Sequence, residues 1–289
     1  MGNHLASVLV TGGSGKLGRF VVTHLSQSGW NVVSADRVPH PDPTVTQVQV
    51  DLRDSGQVMD LVTGVNERVD QLDAIVHLAA IPAPGLATDL ATFDNNLGST
   101  MNVFTASKNA SIKKVVFASS ETVLGLPFDT PPPYVPLDEE YRPRPESFYA
   151  LAKFLEEQAA AELCRWDPEL SMIALRFSNV IDPKDYSGFE DFQHDALARK
   201  WNLWAYIDGR DGAHAVERAL GFEQKGFEAF IIASPDSVMR TSNVQLLDHV
   251  FPGVPRRREI TDNETLLGID KAREVLGYTP QHSWRQVSF

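Results

Sequence analysis

Cysteine is nearly absent from this chain of 289 residues, which contains Cys164 and no other. A single cysteine excludes a disulfide within the chain and suits a reducing compartment. The chain also lacks a hydrophobic run long enough to span a bilayer, and its N-terminus lacks the basic and apolar regions of a signal peptide. We therefore expect a cytoplasmic protein with no membrane partner.

Basic residues are scarce relative to acidic ones. Lys and Arg number 26 against 38 Asp and Glu, which gives a formal net charge of -12 at pH 7. This charge opposes binding to the phosphate backbone of nucleic acids, so we expect no nucleic-acid partner. The hydrophobic fraction of 43% is ordinary for a globular protein, and the length suits one large domain or two small ones.

Short apolar runs alternate with helical patterns along most of the chain. The predicted strands are residues 6–11, 31–35, 45–50, 74–78, 114–118, 172–176 and 227–233. Such alternation predicts an α/β fold with a doubly wound parallel sheet of about seven strands. The pattern breaks after residue 178. We therefore expect a nucleotide-binding domain at 1–178, whose sheet strand 227–233 joins, and a smaller mixed substrate-binding region at 179–289.

The segments between these strands include one unusual loop. Residues 125–147 are rich in proline, which predicts a long ordered loop rather than a helix or strand. In the C-terminal region we expect a loop at 182–190 and helices at 192–200, 211–222 and 270–276.

A glycine-rich turn follows the first strand and precedes a helical pattern. Gly12, Gly15 and Gly18 are spaced three apart and enclose Lys16 and Leu17. In this context the first glycine permits a tight turn, the second lets a pyrophosphate approach the backbone, and the third lets helix and strand pack closely. The free N–H groups of the helix N-terminus favour a phosphate. Glycines also close ordinary loops, so the turn alone does not establish the site.

Acidic residues follow the second and third strands. Asp36 lies 24 residues after Gly12, where a carboxylate can accept both ribose hydroxyls of NAD and repel the 2′-phosphate of NADP. Arg37 offsets part of that repulsion, so NADP is disfavoured rather than excluded. The alternative is that Asp36 only begins a turn. Asp51, followed by Leu52, can reach the adenine amino group.

Tyr149 and Lys153 are four residues apart, a spacing that places both on one face of a helix. An ammonium about 4 Å away, at an effective dielectric of about 20, stabilises a phenolate by roughly 4 kcal/mol. This equals roughly three pKa units before desolvation, enough to make Tyr149 a general base near neutral pH. The alternative is an amphipathic helix with Tyr149 at the core edge and Lys153 in water. Ser120 ends the fifth strand, where open α/β sheets build their sites, although it would also serve as a simple cap.

Taken together, these motifs resemble the extended short-chain dehydrogenase/reductase family, in its NAD-dependent epimerase/dehydratase branch. The matching segments occur in the family's order over roughly 180 residues: Thr11 to Gly18, Asp36, Asp51-Leu52, His77 to Ala80, Asn96, Phe117 to Ser120, Tyr149 to Lys153 and Leu175 to Val180. One departure is Leu124, where many members have tyrosine in a turn that flanks the substrate.

The resemblance implies a Rossmann-like fold, NAD as cofactor and a role for each motif. Tyr149 would take or give the hydroxyl proton, Lys153 would lower the pKa of Tyr149 and bind the nicotinamide ribose, and Ser120 would bind the reacting oxygen. The remaining cofactor-binding positions implied are Leu78, Ala79, Ala80 and Asn96. Asn96 is equally consistent with a purely structural role. His77 is expected to be a satisfied core histidine, and no metal site is expected.

The substrate is predicted from the short C-terminal region. Members of the resembled family that act on nucleotide sugars have a larger C-terminal lobe that holds the nucleotide, whereas here about 25 residues separate Asn179 from Trp204. We therefore expect a small sugar-like substrate. By resemblance to the family, Asn179 would line the substrate pocket. The segment near Arg199 and Trp204 resembles the region where uronate dehydrogenases place an arginine, so Arg199 would bind a carboxylate by bidentate pairing. Glu121 is a candidate for contact with a sugar hydroxyl. The alternative is that Arg199 is only a solvated helix charge.

Three functions remain open at this point. The first is an NAD-dependent dehydrogenase of an aldose or uronate. The second is a sugar or nucleotide-sugar 4-epimerase that retains its NAD, and the third is a non-catalytic dinucleotide-sensing regulator. Relatives often dimerise through two helices, which here are residues 90–108 and 149–165, so a homodimer with a four-helix contact is expected.

Overall fold

The computed structural model describes residues 6–64 and 71–287. Its centre is a parallel sheet of seven strands: β1 (Ser7–Thr11), β2 (Asn31–Asp36), β3 (Gln47–Gln49), β4 (Ala74–His77), β5 (Lys114–Ser120), β6 (Ser171–Phe177) and β9 (Gly226–Ile232). The spatial order is β3-β2-β1-β4-β5-β6-β9. This confirms the predicted fold class. The order reverses between β1 and β4, which opens a crevice at the carboxyl ends of these strands.

In the described part of the chain, six α-helices accompany the sheet: α1 (Lys16–Gln27), α2 (Ser55–Thr63), α3 (Asp89–Asn109), α4 (Phe148–Trp166), α5 (Gly209–Leu220) and α6 (Asn243–Val250). Helices α1 and α5 pack against each other, and α3 packs between α2 and α4. Among the described residues, no helix combines the length and apolar character needed to cross a membrane.

The two faces of β1 show how the sequence builds the core. Val8 and Val10 pack in the same hydrophobic cluster as residues of α1 and α5, whereas Leu9 packs with residues of α2 and α3. All three side chains are fully buried. Neighbouring residues of a strand point to opposite faces, so a strand covered on both sides needs a continuous apolar run.

The proline-rich segment 125–147 is an ordered loop, as predicted. Val135 and Leu137 are fully buried in it. The amide of Val135 donates to the Pro255 carbonyl at 2.9 Å, and the amide of Leu137 donates to the Leu266 carbonyl at 2.9 Å. The loop is therefore joined to the C-terminal segment before it delivers the chain to α4.

The C-terminal region differs from the prediction in several places. Residues Pro183–Phe192 form a 3-10 helix where a loop was expected, because Asp182 caps its first turn and Pro183 suits that position. The predicted helix at 192–200 is wrong, because this segment forms successive turns. One of them is stabilised by the Asp195 carboxylate, which accepts from the Leu197 amide at 2.9 Å. Helix α6 and the two-stranded sheet of β7 (Val180–Ile181) and β8 (Ile207–Asp208) were not predicted.

The proposed division at residue 178 does not separate two cores. A single hydrophobic cluster contains Val8 and Val10 of β1 together with Trp204, Leu266 and Tyr278 of the C-terminal region. The two parts therefore share one core, and the division remains a proposal about which residues bind the cofactor and which bind the substrate.

Candidate active site

A cavity of about 680 Å³ lies at the carboxyl ends of the central strands. Fourteen of the fifteen predicted cofactor-binding residues line it: Gly12, Gly15, Lys16, Leu17, Gly18, Asp36, Arg37, Asp51, Leu52, Leu78, Ala79, Ala80, Tyr149 and Lys153. Asn96 is the exception. Ser120, Glu121 and Asn179 also line the cavity, whereas Arg199 does not. Residues that contribute without having been predicted include Arg53, Asn95 and Trp201.

The glycine turn is shaped by close backbone contacts. Gly12 has a φ of +72°, and a Cβ atom added to it would lie 2.6 Å from the amide nitrogen of Ala79. A Cβ atom on Gly18 would lie 2.1 Å from the carbonyl oxygen of Gly12. Gly15 is the N-cap of α1 and supplies no side-chain cap, and the first turn of α1 contains no acidic residue. The N–H groups of α1 are therefore left for an anionic ligand, as a pyrophosphate requires.

Asp36 connects the end of β2 to this turn. Its carboxylate accepts from the amide of Ser14 at 3.2 Å and from the amide of Val38 at 3.3 Å. The side chain is only partly buried and lines the cavity beside Arg37. This places a carboxylate at the wall of the cavity, next to the glycine turn.

Asn96 lies behind the cavity wall and supports it. The side chain is fully buried, accepts from the Ile81 amide at 2.8 Å and donates to the Ile81 carbonyl at 3.0 Å. Its amide thus holds the loop that follows β4, to which Ala79 and Ala80 belong. The geometry fits the structural role more closely than direct contact with the cofactor.

The three predicted catalytic residues meet at one end of the cavity. Tyr149 lies in the first turn of α4, which begins after the N-cap Ser147, whose hydroxyl accepts from the Ala150 amide at 3.1 Å. Ser120 is the last residue of β5 and forms a hydrogen bond with Tyr149. Lys153 lies one helical turn beyond Tyr149, and both side chains are buried.

The charge state of Tyr149 differs from the expectation. Burial raises the pKa of Tyr149 above its ordinary value, and this effect exceeds the opposing effects of Lys153 and of the hydrogen bond with Ser120. The predicted lowering of the pKa is therefore wrong for the protein without cofactor. The physical reason is that Tyr149 is buried, and the carboxylate of Glu156 beside Lys153 adds to the rise.

Lys153 forms a buried ion pair that sequence reasoning missed. Its Nζ donates to the Ala118 carbonyl at 2.8 Å and to Glu156 Oε2 at 2.9 Å. The side chains of Lys153 and Glu156 are 3% and 0% exposed. A carboxylate three residues after the lysine was the available signal, since residues three apart on a helix are neighbours.

A second polar cluster occupies the end of the cavity near Tyr149. Glu121 is buried, and its carboxyl accepts from the hydroxyl of Ser178 at 2.5 Å and from the amide of Asn202 at 3.2 Å. Burial raises the pKa of Glu121 to about 7, although these hydrogen bonds and the nearby Arg199 oppose the rise. Asn202 is distant in sequence from Glu121, so no local signal marked it.

Arg199 is buried behind this cluster. Its Nη2 donates to the Ala205 carbonyl at 2.9 Å, and its guanidinium lies 5.0 Å from the ring centre of Trp201 and 5.6 Å from that of Phe192. Because Arg199 does not line the cavity, the structure favours a supporting role toward Glu121 and Trp201. Direct binding of a substrate carboxylate by Arg199 remains a prediction.

Three histidines bear on the predictions of a core histidine and of no metal site. His77 is buried between the hydroxyls of Thr11, at 2.7 Å, and Thr100, at 3.0 Å, which confirms a satisfied core histidine. His24 of α1 lies with His214 and Glu217 of α5, and their possible ligand atoms are all within 4.8 Å of one another. His24 already bonds to Glu217 at 2.7 Å, so this group joins two helices outside the cavity. The expectation of no metal remains a prediction.

Comparison with known proteins identifies the family of this chain. The model of the NAD dependent epimerase/dehydratase family matches residues 8–208. UDP-glucose 4-epimerase 2 of Oryza sativa subsp. japonica is 30% identical over 220 residues, which are 70% of this chain and 50% of the rice protein. The chain therefore spans about half the length of this curated relative.

Two solved structures extend the comparison to the whole fold. A UDP-glucose 4-epimerase from Bifidobacterium longum in complex with NAD+ and UDP is 20% identical, with a TM-score of 0.71 over 96% of this chain and 95% of that one. A mutated uronate dehydrogenase is 24% identical, with a TM-score of 0.69 over 98% of this chain and 85% of that one. These similarities show the fold. The family match covers more than half of the chain, and we conclude that the chain belongs to the NAD-dependent epimerase/dehydratase family of extended short-chain dehydrogenases/reductases, whose cofactor is NAD.

Proposed function

We propose that this protein catalyses NAD-dependent hydride transfer at a hydroxyl-bearing carbon of a small sugar or sugar acid. The observation that carries the proposal is the meeting of Ser120, Tyr149 and Lys153 at the end of the cavity opposite Asp36. A dinucleotide with its adenosine at Asp36 and its pyrophosphate at the N-terminus of α1 would extend toward these three residues.

The residues present fit this cofactor. Side chains at Gly12 and Gly18 would collide with backbone, and the N–H groups of α1 lack an internal acidic cap, so the turn is shaped for a pyrophosphate. When bound, NAD supplies the hydride acceptor and a positive charge. Asp36 supports NAD over NADP, because its carboxylate would repel a 2′-phosphate.

Side chains of the protein transfer the proton. Tyr149 takes the proton from the substrate hydroxyl as a general base, and Ser120 hydrogen-bonds the oxygen that becomes the carbonyl. Lys153, with Nζ held by the Ala118 carbonyl and by Glu156, stabilises the phenolate as it forms. In the reverse direction Tyr149 returns the proton.

The substrate end supports a small polyhydroxylated ligand. Glu121 and Asn179 offer hydrogen-bonding groups beside Tyr149, and Trp201 offers an apolar face. Glu121 is the acidic side chain that lines this end, whereas the nearby Arg199 does not line the cavity. We therefore expect uncharged aldoses to react faster than uronates, since a second carboxylate would lie close to Glu121.

A sugar or nucleotide-sugar 4-epimerase is the second candidate. The curated relatives include several UDP-glucose 4-epimerases, and the fold aligns with nearly the whole length of one solved with UDP. The shortness of the C-terminal region therefore does not by itself exclude a nucleotide sugar. An epimerase would return the hydride to the opposite face of the same intermediate and release no NADH.

A panel of aldoses, uronates and nucleotide sugars, assayed with NAD and NADP, distinguishes the candidates. We expect NADH formation with aldoses and none with nucleotide sugars. Epimeric product without NADH would replace the proposal with the epimerase. Tyr149→Phe should lower the rate by roughly 100-fold or more while NAD still binds. Full biological activity in that variant would indicate a dinucleotide-sensing regulator instead.

A homodimer formed through α3 and α4 completes the proposal, together with residence in the cytoplasm. The exposed faces of these helices contain Leu90, Phe148 and Leu151, which are 62%, 45% and 36% exposed. Pairing the two helices with those of a second copy would bury these side chains. Leu90→Glu combined with Leu151→Glu should give a monomer by light scattering, whereas Val275→Glu, at another exposed apolar position, should not.

A further inference from the structure

The ion pair of Lys153 and Glu156 lies inside the protein, next to the group that is proposed to transfer the proton. Burial lowers the pKa of Lys153, but Glu156 and Tyr149 more than offset this effect, so the lysine stays charged. Burial raises the pKa of Glu156, and Lys153 and the hydroxyl of Thr100 oppose that rise.

A chain of hydrogen bonds from β1 leads to Thr100, whose hydroxyl is placed to donate to Glu156. Thr11 Oγ1 lies 2.7 Å from His77 Nδ1, and His77 Nε2 lies 3.0 Å from Thr100 Oγ1. If Thr100 donates to Glu156, its oxygen accepts from the N–H at His77 Nε2, and His77 Nδ1 accepts from Thr11. Every donor in this arrangement points toward Glu156, which is the orientation that a carboxylate acceptor requires.

The ion pair of Lys153 and Glu156 changes the free-energy cost of ionising Tyr149. With Glu156 present, the buried group of Glu156, Lys153 and neutral Tyr149 has a net charge of zero. Ionising Tyr149 would leave one uncompensated negative charge in a desolvated site, which is unfavourable. Without Glu156, ionising Tyr149 would instead create a neutral pair with Lys153.

We propose that Glu156 is a positioning residue that neutralises Lys153 and so keeps Tyr149 in its phenol form until a further positive charge enters the cavity. Oxidised NAD carries such a charge. The proposal rests on the proposed function in taking Tyr149 as the group that transfers the proton, and its sugar substrate plays no part in the argument.

The other ionisable groups around the pair have partners of their own or are neutral. Glu157 accepts from Arg176 at 2.8 and 2.9 Å. Glu121 faces Arg199 and two hydrogen-bond donors. His77 is neutral, because burial lowers its pKa to about 3. Glu156 is therefore the group whose removal changes the net charge around Lys153.

The test is a pH titration of the enzyme without cofactor, in which Tyr149 is followed by NMR of ring-labelled tyrosine and assigned with Tyr149→Phe. We expect Glu156→Gln to lower the apparent pKa of Tyr149 by at least one unit. Glu162→Gln, which removes an exposed glutamate of the same helix, should leave it unchanged. If the apparent pKa of Tyr149 is unchanged or raised in Glu156→Gln, the proposal is overturned.

A second measurement covers the case in which Glu156→Gln does not fold. The carboxyl signal of Glu156 in the wild-type protein, assigned by its loss in Glu156→Asp, should be that of a carboxylate at pH 8 while Tyr149 is still a phenol. A protonated carboxyl there overturns the proposal. Neither titration involves turnover, so a failure to oxidise any sugar would refute the proposed function and leave this result intact.

Discussion

Replacing Lys153 with methionine should destabilise the protein far more than the loss of one surface charge would. The side chains of Lys153 and Glu156 are 3% and 0% exposed, so Lys153→Met leaves Glu156 buried without its cation. Breaking a buried pair in this way costs roughly 3–5 kcal/mol in free energy of unfolding. At roughly 2–4 °C per kcal/mol for a large domain, the melting temperature should fall by about 6–20 °C.

The matched control removes both charges. Lys153→Met combined with Glu156→Leu fills the site with apolar groups of similar size, and such replacements are often neutral or stabilising. The double variant should therefore regain most of the stability that the single variant loses, although it stays inactive. Denaturant unfolding followed by circular dichroism measures the free energy of unfolding of the single and the double variant. A double variant less stable than Lys153→Met would refute the reasoning.

The pH dependence of Lys153→Met provides an independent check. Burial already raises the pKa of Glu156 in the folded protein, and removal of Lys153 takes away a charge that opposes the rise. A carboxyl whose pKa is higher in the folded than in the unfolded state loses stability as pH rises. The variant should thus be closest to wild type near pH 5 and fall behind it toward pH 8. Equal deficits at both pH values would contradict this account.

Three further predictions concern the cavity. Gly18→Ala should abolish NAD binding measured by calorimetry, because its Cβ would lie 2.1 Å from the Gly12 carbonyl, whereas Gly221→Ala should not affect binding, since its nearest contact is 3.7 Å away. Asp36→Ser should improve kcat/KM for NADP relative to NAD on the order of 10- to 100-fold, because two charges about 5 Å apart repel by roughly 3 kcal/mol at an effective dielectric of about 20. Burial raises the pKa of Glu121 to about 7, so wild type should lose stability relative to Glu121→Gln as pH rises from about 4.5 to 7. The loss should reach about 3 kcal/mol in the free energy of unfolding measured with denaturant. A difference between the two proteins that does not change with pH would exclude the raised pKa of Glu121.

Local patterns in the sequence were sufficient to predict the sheet and the residues that line the cofactor end of the cavity. Gly12 and Gly18 mark positions where any side chain meets backbone, and Asp36 ends a strand at a fixed distance from them. Tyr149 and Lys153 are one helical turn apart, so their proximity followed from spacing alone. In each of these cases the position of the residue is set by contacts within a short segment or by the order of the parallel strands.

Features that depend on long-range packing were not predictable in the same way. The contact of Asn202 with Glu121 joins residues 81 apart, and the burial of Arg199 depends on Trp201 and Phe192. The segment 192–200 contains good helix formers, but Asp195 forms a side-chain turn, and Leu203 and Trp204 have positive φ angles. The direction of the pKa shift of Tyr149 could not be predicted from spacing, because it is set mainly by the burial of the phenol, to which Glu156 adds.

The proline-rich loop gives the C-terminal segment an influence on chemistry that occurs elsewhere. No described residue after Trp201 lines the cavity, yet Val135 and Leu137 are bonded on both sides to residues 255–268. The same loop leads directly into the helix that carries Tyr149. Removal of the chain beyond residue 254 should therefore abolish the proposed hydride transfer, because it takes away part of the common core, including Leu266 and Tyr278, together with the hydrogen bonds that fix the loop leading into α4.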